Sequence, residues 1–280
     1  MTDIQAKLAE QKTNRNFIIY QFAKSYLEDM IKDYSIDLNS YFIGDNKGVS
    51  SLREIFIGFI SSAQNYQSMP NIIQFNTNVI RRKMIGEILC DFDYTQIKDK
   101  SPKNLYYLFR DAFNVNSKDS KRNSWYKWSC AIVDSAKFVS DFADKEDFDS
   151  FVELFNYNVT TRMALPLLIS KKIRGIGFAL SCDLLKELGY INYPKPDVHL
   201  MDVFSALKLS ENEPVSTFEA IVRMADECKT LTNDSSITPY KVDKTIWLIC
   251  SGKFYLERPE LSLGRHKEKF IKEALPLIDS

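Results

Sequence analysis

Apolar side chains recur along this chain at the spacing of a single helix face. One run occupies positions i, i+3, i+4, i+7, i+8 and i+11, and consists of Leu52, Ile55, Phe56, Phe59, Ile60 and Ala63. This spacing is typical of an amphipathic helix. Glycine, which disfavours helices, occurs only nine times in 280 residues. We therefore predict an all-α fold, with enough chain for one large domain or two smaller ones.

Similar periodicity predicts most of the other helices. Their expected ranges are residues 4–34, 71–90, 102–115, 125–142, 146–156, 166–173, 178–188, 198–207 and 242–250. The segment Ser216-Thr217-Phe218-Glu219 matches a capping box, so we expect a further helix to begin at about Thr217.

The charge of the chain is balanced overall and segregated locally. Lysine and arginine number 37, as do aspartate and glutamate, and this balance argues against a nucleic-acid partner. However, residues 131–160 carry seven acids and two lysines, whereas residues 161–182 carry four basic residues and no acid. Local sign decides where a polyanion binds, because exposed charges are screened over short distances. The alternative is that these runs are only solvated helix faces.

No apolar run approaches the length of a bilayer span, and the first ten residues are polar. We therefore expect a monomeric cytoplasmic protein with no membrane partner, associated with the nucleoid if it is bacterial. The five cysteines are scattered without metal-ligand spacing, so we expect no metal site.

A glycine-containing turn separates two expected helices at Gly175, Ile176 and Gly177. Glycines let a backbone approach closely, and the next helix presents N–H groups and a positive dipole end to an anion. Three cations precede or begin the turn, namely Lys171, Lys172 and Arg174. The turn is therefore a candidate phosphate clamp. The alternative is that its glycines serve only the geometry of the turn.

Asp197 opens the helix that follows Pro196. Aspartate is a favoured N-cap, and proline disfavours helical backbone at the residue before it. A capping aspartate is held rigidly, and the helix dipole is expected to keep it ionised. Such a carboxylate can stabilise positive charge on a sugar and activate water. The alternative is a purely structural cap.

Residues 172–204 resemble the signature of the endonuclease III-like helix-hairpin-helix DNA glycosylases. That signature is a G-x-G hairpin, a helix, a loop and an essential aspartate that opens the next helix. Asp197 follows Gly175 by 22 residues, as in the family, and Asp197-Val198-His199-Leu200 is similar to its Asp-x-His-hydrophobic segment. The resemblance implies that Asp197 is the catalytic carboxylate and that the hairpin contacts double-stranded DNA.

Two distant segments extend the resemblance over residues 50–255. Residues 60–64 resemble the family's Leu-Ser-Ala-Gln segment, whose glutamine enters the DNA stack, and this implies the same role for Gln64. Residues 241–253 resemble its C-terminal helix. We add Asn65, Tyr66 and His199 as candidate wedge or base-pocket residues.

The family fold is all-α with two lobes and an active site in the cleft between them. By resemblance, residues 46–192 form a six-helix lobe that ends in the hairpin. Residues 1–45 and 193–280 form the second lobe. The implied reaction is base flipping and hydrolysis of the N-glycosidic bond of a damaged or modified base, leaving an abasic site.

The sequence departs from the family pattern in three places, which concern the nucleophile, the cofactor and one charged residue. Ala179 stands where bifunctional members carry a Schiff-base lysine, which favours a monofunctional enzyme. No cysteine follows Gly252, so we expect no iron–sulfur cluster and no other cofactor, although a monovalent ion at the hairpin is compatible with the resemblance. Asp202 stands where the family usually has arginine.

Three questions stay open at the level of sequence. The target can be an oxidised, alkylated or deaminated base, or a hypermodified base of viral DNA. A non-catalytic DNA-binding protein would use the same hairpin. A bifunctional glycosylase/lyase would need a displaced lysine.

Overall fold

The computed structural model describes residues 14–43, 48–257 and 259–278. Within these residues the regular structure is almost entirely helical, and the two strands are two residues long each. The prediction of an all-α protein is confirmed. In chain order the helices are α1 (Arg15–Ile31), α2 (Leu38–Ile43), α3 (Leu52–Ala63), α4 (Met69–Ile73), α5 (Val79–Ile88), α6 (Tyr94–Ile97), α7 (Pro102–Ala112), α8 (Ser124–Val139), α9 (Lys145–Leu154), α10 (Val159–Lys172), α11 (Phe178–Glu187), α12 (Val198–Ala206), α13 (Pro214–Thr232), α14 (Pro239–Ser251) and α15 (Lys267–Ala274).

The chain divides into two compact units. The discontinuous unit comprises Met1–Asn46 and Tyr190–Ser280, and the continuous unit comprises Lys47–Gly189. The boundaries expected from the sequence were 1–45 with 193–280, and 46–192.

The discontinuous unit is built around α1, α13 and α14, which pack against one another. Its core consists of fully buried side chains such as Tyr20, Ile221 and Ile246. A two-stranded antiparallel ribbon, β1 (Lys253–Phe254) and β2 (Leu261–Ser262), follows α14.

Gly252 ends α14 in the left-handed region, with φ of 63°. A Cβ at this position would stand 1.7 Å from the carbonyl oxygen of Gly264. The predicted helix end is confirmed. Glycine is required here because a larger residue would clash with the backbone of the fold itself.

The continuous unit packs α8 against α3 and α7. Trp128 of α8 is fully buried, and its indole N–H donates to the Ile60 carbonyl of α3 at 2.8 Å. Trp125 is also buried and stacks on Phe113 with ring centroids 4.9 Å apart. These contacts make α8 the central helix of the unit.

This unit contains nine helices among its described residues, not the six that the resemblance implies. Two of the extra helices are single turns in connecting segments. Pro70 lies in the first turn of α4, and the Asp93 carboxylate caps α6. Local capping therefore produces helices that a family-level pattern does not contain.

The expected helix over residues 71–90 is broken in the structure. Gln74 adopts left-handed backbone with φ of 59°, which ends α4, and the Asn78 side chain caps α5. Each of the two helices buries an isoleucine, Ile73 in α4 and Ile85 in α5, whereas Val79 and Ile80 at the start of α5 are exposed.

Two predicted helix starts are wrong. The helix expected at Thr217 begins at Pro214, because the Glu213 carboxylate accepts from the backbone N–H groups of Val215 and Ser216. The helix expected at residue 166 begins at Val159, where Asn158 and Thr161 form a capping box. Pro166 therefore lies inside α10.

Candidate functional site

The predicted hairpin is a tight turn between α10 and α11. Ile173 and Ile176 are buried and anchor the turn to the continuous unit. Gly175 lies between them with φ of 88°, where a side chain would strain the backbone. The turn therefore holds its apolar residues inward while its glycines lie at the surface.

Gly177 is the N-cap of α11 and has extended backbone, with φ of −89° and ψ of 176°. Any L-residue adopts this conformation. Apart from its immediate chain neighbours, no heavy atom of the described residues lies within 4 Å of the place where a Cβ would stand. Nothing inside the described fold thus requires glycine at this position, in contrast to Gly252.

The start of α11 lacks a side-chain cap, since glycine has none to offer. The first N–H groups of a helix have no partner within the helix, and the dipole adds positive potential there. The geometry of the turn is therefore compatible with an incoming phosphate oxygen.

The three cations beside the hairpin differ in their surroundings. Lys171 and Lys172 are exposed at the end of α10. Arg174 is paired with Asp134 of α8, with Nε and Nη2 at 2.6 and 2.8 Å from the two carboxylate oxygens. The Arg174 backbone N–H also donates to Asp134, at 3.1 Å.

This bidentate pair shows that Arg174 is not an isolated cation, and its contact with phosphate stays a prediction. Hydrogen bonding to Asp134 raises the pKa of Arg174 further above its ordinary value, so the guanidinium stays charged and the carboxylate offsets that charge. In the structure Arg174 links the hairpin to α8, and within the described part of the chain Lys171 and Lys172 form no ion pair.

Gln64 is buried, with 1% of its surface exposed, and its carboxamide oxygen accepts the Phe75 backbone N–H at 2.9 Å. In this structure the Gln64 side chain does not project from the surface, and its entry into the DNA stack stays a prediction. The side chain instead holds the segment after α4 against the end of α3. The match to the family segment did not distinguish a buried from a projecting glutamine.

The two residues that follow Gln64 are exposed. Asn65 and Tyr66 follow the end of α3. The ammonium group of Lys127 lies 5.4 Å from the centroid of the Tyr66 ring. Tyr66 and Gly175 line the same cavity of the continuous unit. The structure therefore brings the segment after α3 next to the hairpin.

Asp197 is the N-cap of α12, in the discontinuous unit. Its carboxylate oxygen Oδ1 accepts the backbone N–H of His199 at 2.9 Å and that of Leu200 at 3.3 Å. The preceding Pro196 is buried, and Val198 at the first helical position is exposed. The prediction of a helix start at this aspartate is confirmed.

The surroundings of Asp197 do not favour its ionised form. Burial raises the pKa of Asp197, and the nearby Asp243 carboxylate raises it further. The helix N–H of Leu200 and the charge of Lys195 offset only part of this effect. The N-cap bonds and the helix dipole therefore do not lower this pKa below its ordinary value, because desolvation by burial outweighs them.

Asp243 is a neighbour that sequence reasoning missed. It is 2% exposed on α14, and its Oδ2 accepts the Lys195 backbone N–H at 2.8 Å. This bond positions the loop that carries Asp197. A single aspartate within an amphipathic helix gives no sequence signal of such a role, although the segment around it was matched to the family.

Two further side chains of the discontinuous unit, His199 and Lys244, have buried polar atoms. The Nδ1 atom of His199 is buried, and no described residue offers it a hydrogen bond. Lys244 of α14 is 6% exposed, and its ammonium group donates to the Tyr255 hydroxyl at 2.9 Å. It also lies 5.4 Å from the Trp247 ring centroid, so an aromatic lining surrounds this buried cation.

Among the described residues, no group of three or more histidine, cysteine, aspartate or glutamate side chains could hold a metal ion. None of the described helices has the length and apolarity needed to cross a bilayer.

Comparisons of the chain with protein-family models, with curated proteins and with solved structures found no match.

Proposed function

We propose that this protein is a monofunctional DNA glycosylase that removes a damaged or modified base by hydrolysis. The observation that carries the proposal is a rigid half-buried carboxylate at a helix start, Asp197, which follows the glycine hairpin at the family spacing. The hairpin would bind the phosphate backbone, and the carboxylate would act at the sugar.

The hairpin contributes a sequence-independent contact. Its glycines leave room for a phosphate, the uncapped start of α11 offers N–H groups, and Lys171 and Lys172 add positive charge. Such contacts fix the position of a protein on DNA without reading the sequence. The base to be removed must then leave the stack before the sugar can be attacked.

The carboxylate of Asp197 would act on the extruded nucleotide in its ionised form. As the bond between C1′ and the base nitrogen breaks, its electron pair leaves with the base and positive charge develops on the sugar. The carboxylate stabilises that charge and accepts a proton from the attacking water, whose oxygen bonds to C1′. A pKa raised towards the working pH makes the carboxylate a stronger base.

The decisive experiment is base release by Asp197→Asn under single-turnover conditions. We expect the rate to fall by about a hundred- to ten-thousandfold, the usual contribution of a general base. Asparagine caps helices as well as aspartate does, so the variant should keep the stability of α12. Excision at the wild-type rate by the folded variant would refute the proposal.

A matched control is Asp144→Asn, since Asp144 caps α9 in the same manner and accepts the Asp147 backbone N–H at 2.8 Å. This change should leave excision unaffected. The substrate for both variants is found by screening duplexes with oxidised, alkylated and deaminated bases, and hypermodified phage DNA, for abasic sites. Tight DNA binding without any abasic product would favour the non-catalytic alternative.

A further inference from the structure

The continuous unit contains a cavity that the proposed reaction at Asp197 does not use. Its volume is about 360 Å³, which is at the lower end of the range typical of small-molecule sites. The residues that line it come from residues 63–69, from residues 121–131 and from the hairpin. All of them belong to one unit, and Asp197 belongs to the other.

Aromatic rings and positive charges give this cavity its character. Tyr66 and Tyr126 line it together with Lys121 and Lys127. Arg174 also lines it, with its charge offset by Asp134. Acidic side chains are absent from the lining as far as the described residues show. A ligand that joins a planar ring to a negatively charged group matches this combination of groups.

The Tyr126 ring is held in a fixed position. It packs against the ring of Tyr106 of α7 in a T-shaped arrangement, with centroids 5.7 Å apart and planes at 78°. The preceding residue, Trp125, is buried in the core of the same helix. A ring held in this way loses little conformational freedom when a ligand stacks on it.

We propose that this cavity binds one unpaired nucleotide of a DNA strand, with its base on the ring of Tyr126 and its phosphate near Lys121 and Lys127. The inference rests on the proposed function, because extrusion of a base leaves its former partner unpaired. Stacking on aromatic rings tolerates any base, since each has a π-face. Gly175 borders the cavity, so the nucleotide would lie beside the phosphates held by the hairpin.

The test compares two labelled duplexes of the same sequence, one fully paired and one with a single unpaired nucleotide in a bulge. Fluorescence anisotropy with the full chain measures both affinities. We expect the wild-type protein to prefer the bulged duplex. Tyr126→Ala should reduce that preference about tenfold, as loss of one stacking ring does, and Tyr126→Phe should retain it.

Two further variants keep the test decisive. Tyr126→Leu fills the half-buried position with an apolar side chain and removes the aromatic ring with its hydroxyl, so it should lose the preference even if the alanine variant folds poorly. Tyr157→Ala removes a tyrosine that is 86% exposed in the same unit and does not line the cavity, and it should behave as wild type.

Equal affinity of the wild-type protein for the two duplexes, or an unchanged preference in a folded Tyr126→Leu variant, would overturn this inference. Base excision measured in parallel separates it from the proposed function. Excision without a bulge preference contradicts the nucleotide site alone. A Tyr126-dependent bulge preference without excision of any base contradicts the glycosylase alone.

Discussion

Two helices in this chain begin in opposite ways. The helix α11 begins at Gly177, which offers no side chain to the first N–H groups. The helix α12 begins at Asp197, whose carboxylate accepts two of them. Among the described residues no side chain caps the positive end of α11, whereas that of α12 already holds an anion of the protein. Under the proposed function, the start of α11 would bind phosphate and the start of α12 would carry the reacting carboxylate.

The largest effect is expected when the start of α11 is given an aspartate cap like that of α12. We expect Gly177→Asp to lower affinity for duplex DNA by at least about tenfold, because a carboxylate would occupy the N–H groups and repel phosphate. Stability should be equal or slightly higher, since aspartate is a favoured N-cap. Anisotropy titration and thermal melting measure the two effects.

Gly48→Asp is the matched control, because it adds the same charge at an exposed glycine of the same unit with open space around it. It should weaken DNA binding far less. If both variants lose affinity equally, net charge explains the effect and the start of α11 has no special role.

The second prediction concerns the pH dependence set by Asp197. Burial and Asp243 raise the pKa of this carboxylate, and only its ionised form can act as a base. Excision should therefore rise with pH along an acid limb that lies above the ordinary aspartate pKa of about 3.9. Asp243→Asn removes one cause and can still accept the Lys195 N–H, so it should move this limb to lower pH.

The raised pKa of Asp197 also makes the stability of the protein depend on pH. Because the folded pKa of Asp197 lies above its unfolded value, the folded state binds the proton more tightly. Wild-type stability should thus decline as pH rises from the unfolded pKa through the folded pKa, and Asp197→Asn should lack this decline. An acid limb that Asp243→Asn leaves in place would show that the two carboxylates do not interact.

The third prediction separates the cations beside the uncapped helix start. If Lys171 and Lys172 contact phosphates, each change to glutamine should reduce the slope of log affinity against log salt by about 0.9. Arg174→Gln should change the slope less, because Asp134 already offsets its charge. Lys137→Gln, at an exposed lysine of α8, is the control. A large slope change in the Arg174 variant alone would contradict this assignment.

The smallest expected effect is on capping itself. Asp197→Ala should lower the free energy of unfolding by about 1 kcal/mol, and Asp197→Asn should leave the cap in place. Urea unfolding of both variants measures the difference. Equal stability of the two variants would mean that the bonds to His199 and Leu200 contribute little to the fold.

Much of the local structure could be predicted from the sequence. The helical class, the G-x-G turn and the helix starting at Asp197 follow from periodicity, glycine placement and capping chemistry. The wrong helix boundaries lie where a local backbone or capping interaction overrides the hydrophobic pattern, as at Glu213 and Gln74. There, one side chain or one left-handed residue moved a boundary that hydrophobic spacing alone cannot fix.

The candidate site was less predictable than the helices. The sequence singled out Asp197, Gln64 and Arg174 by residue type and position. It could not show that Gln64 is buried against Phe75 or that Arg174 is paired with Asp134, because both partners come from other elements. Nor could it show that Asp243 lies near Asp197.

The sequence by itself determined the helices, the glycine hairpin and the capping aspartate, because these depend on interactions between residues close along the chain. Only the tertiary structure decided which side chains are buried, which charges are compensated and in which direction the pKa of Asp197 shifts. Those properties depend on solvent exclusion and on residues far apart in sequence, such as Asp197 and Asp243, that folding brings together.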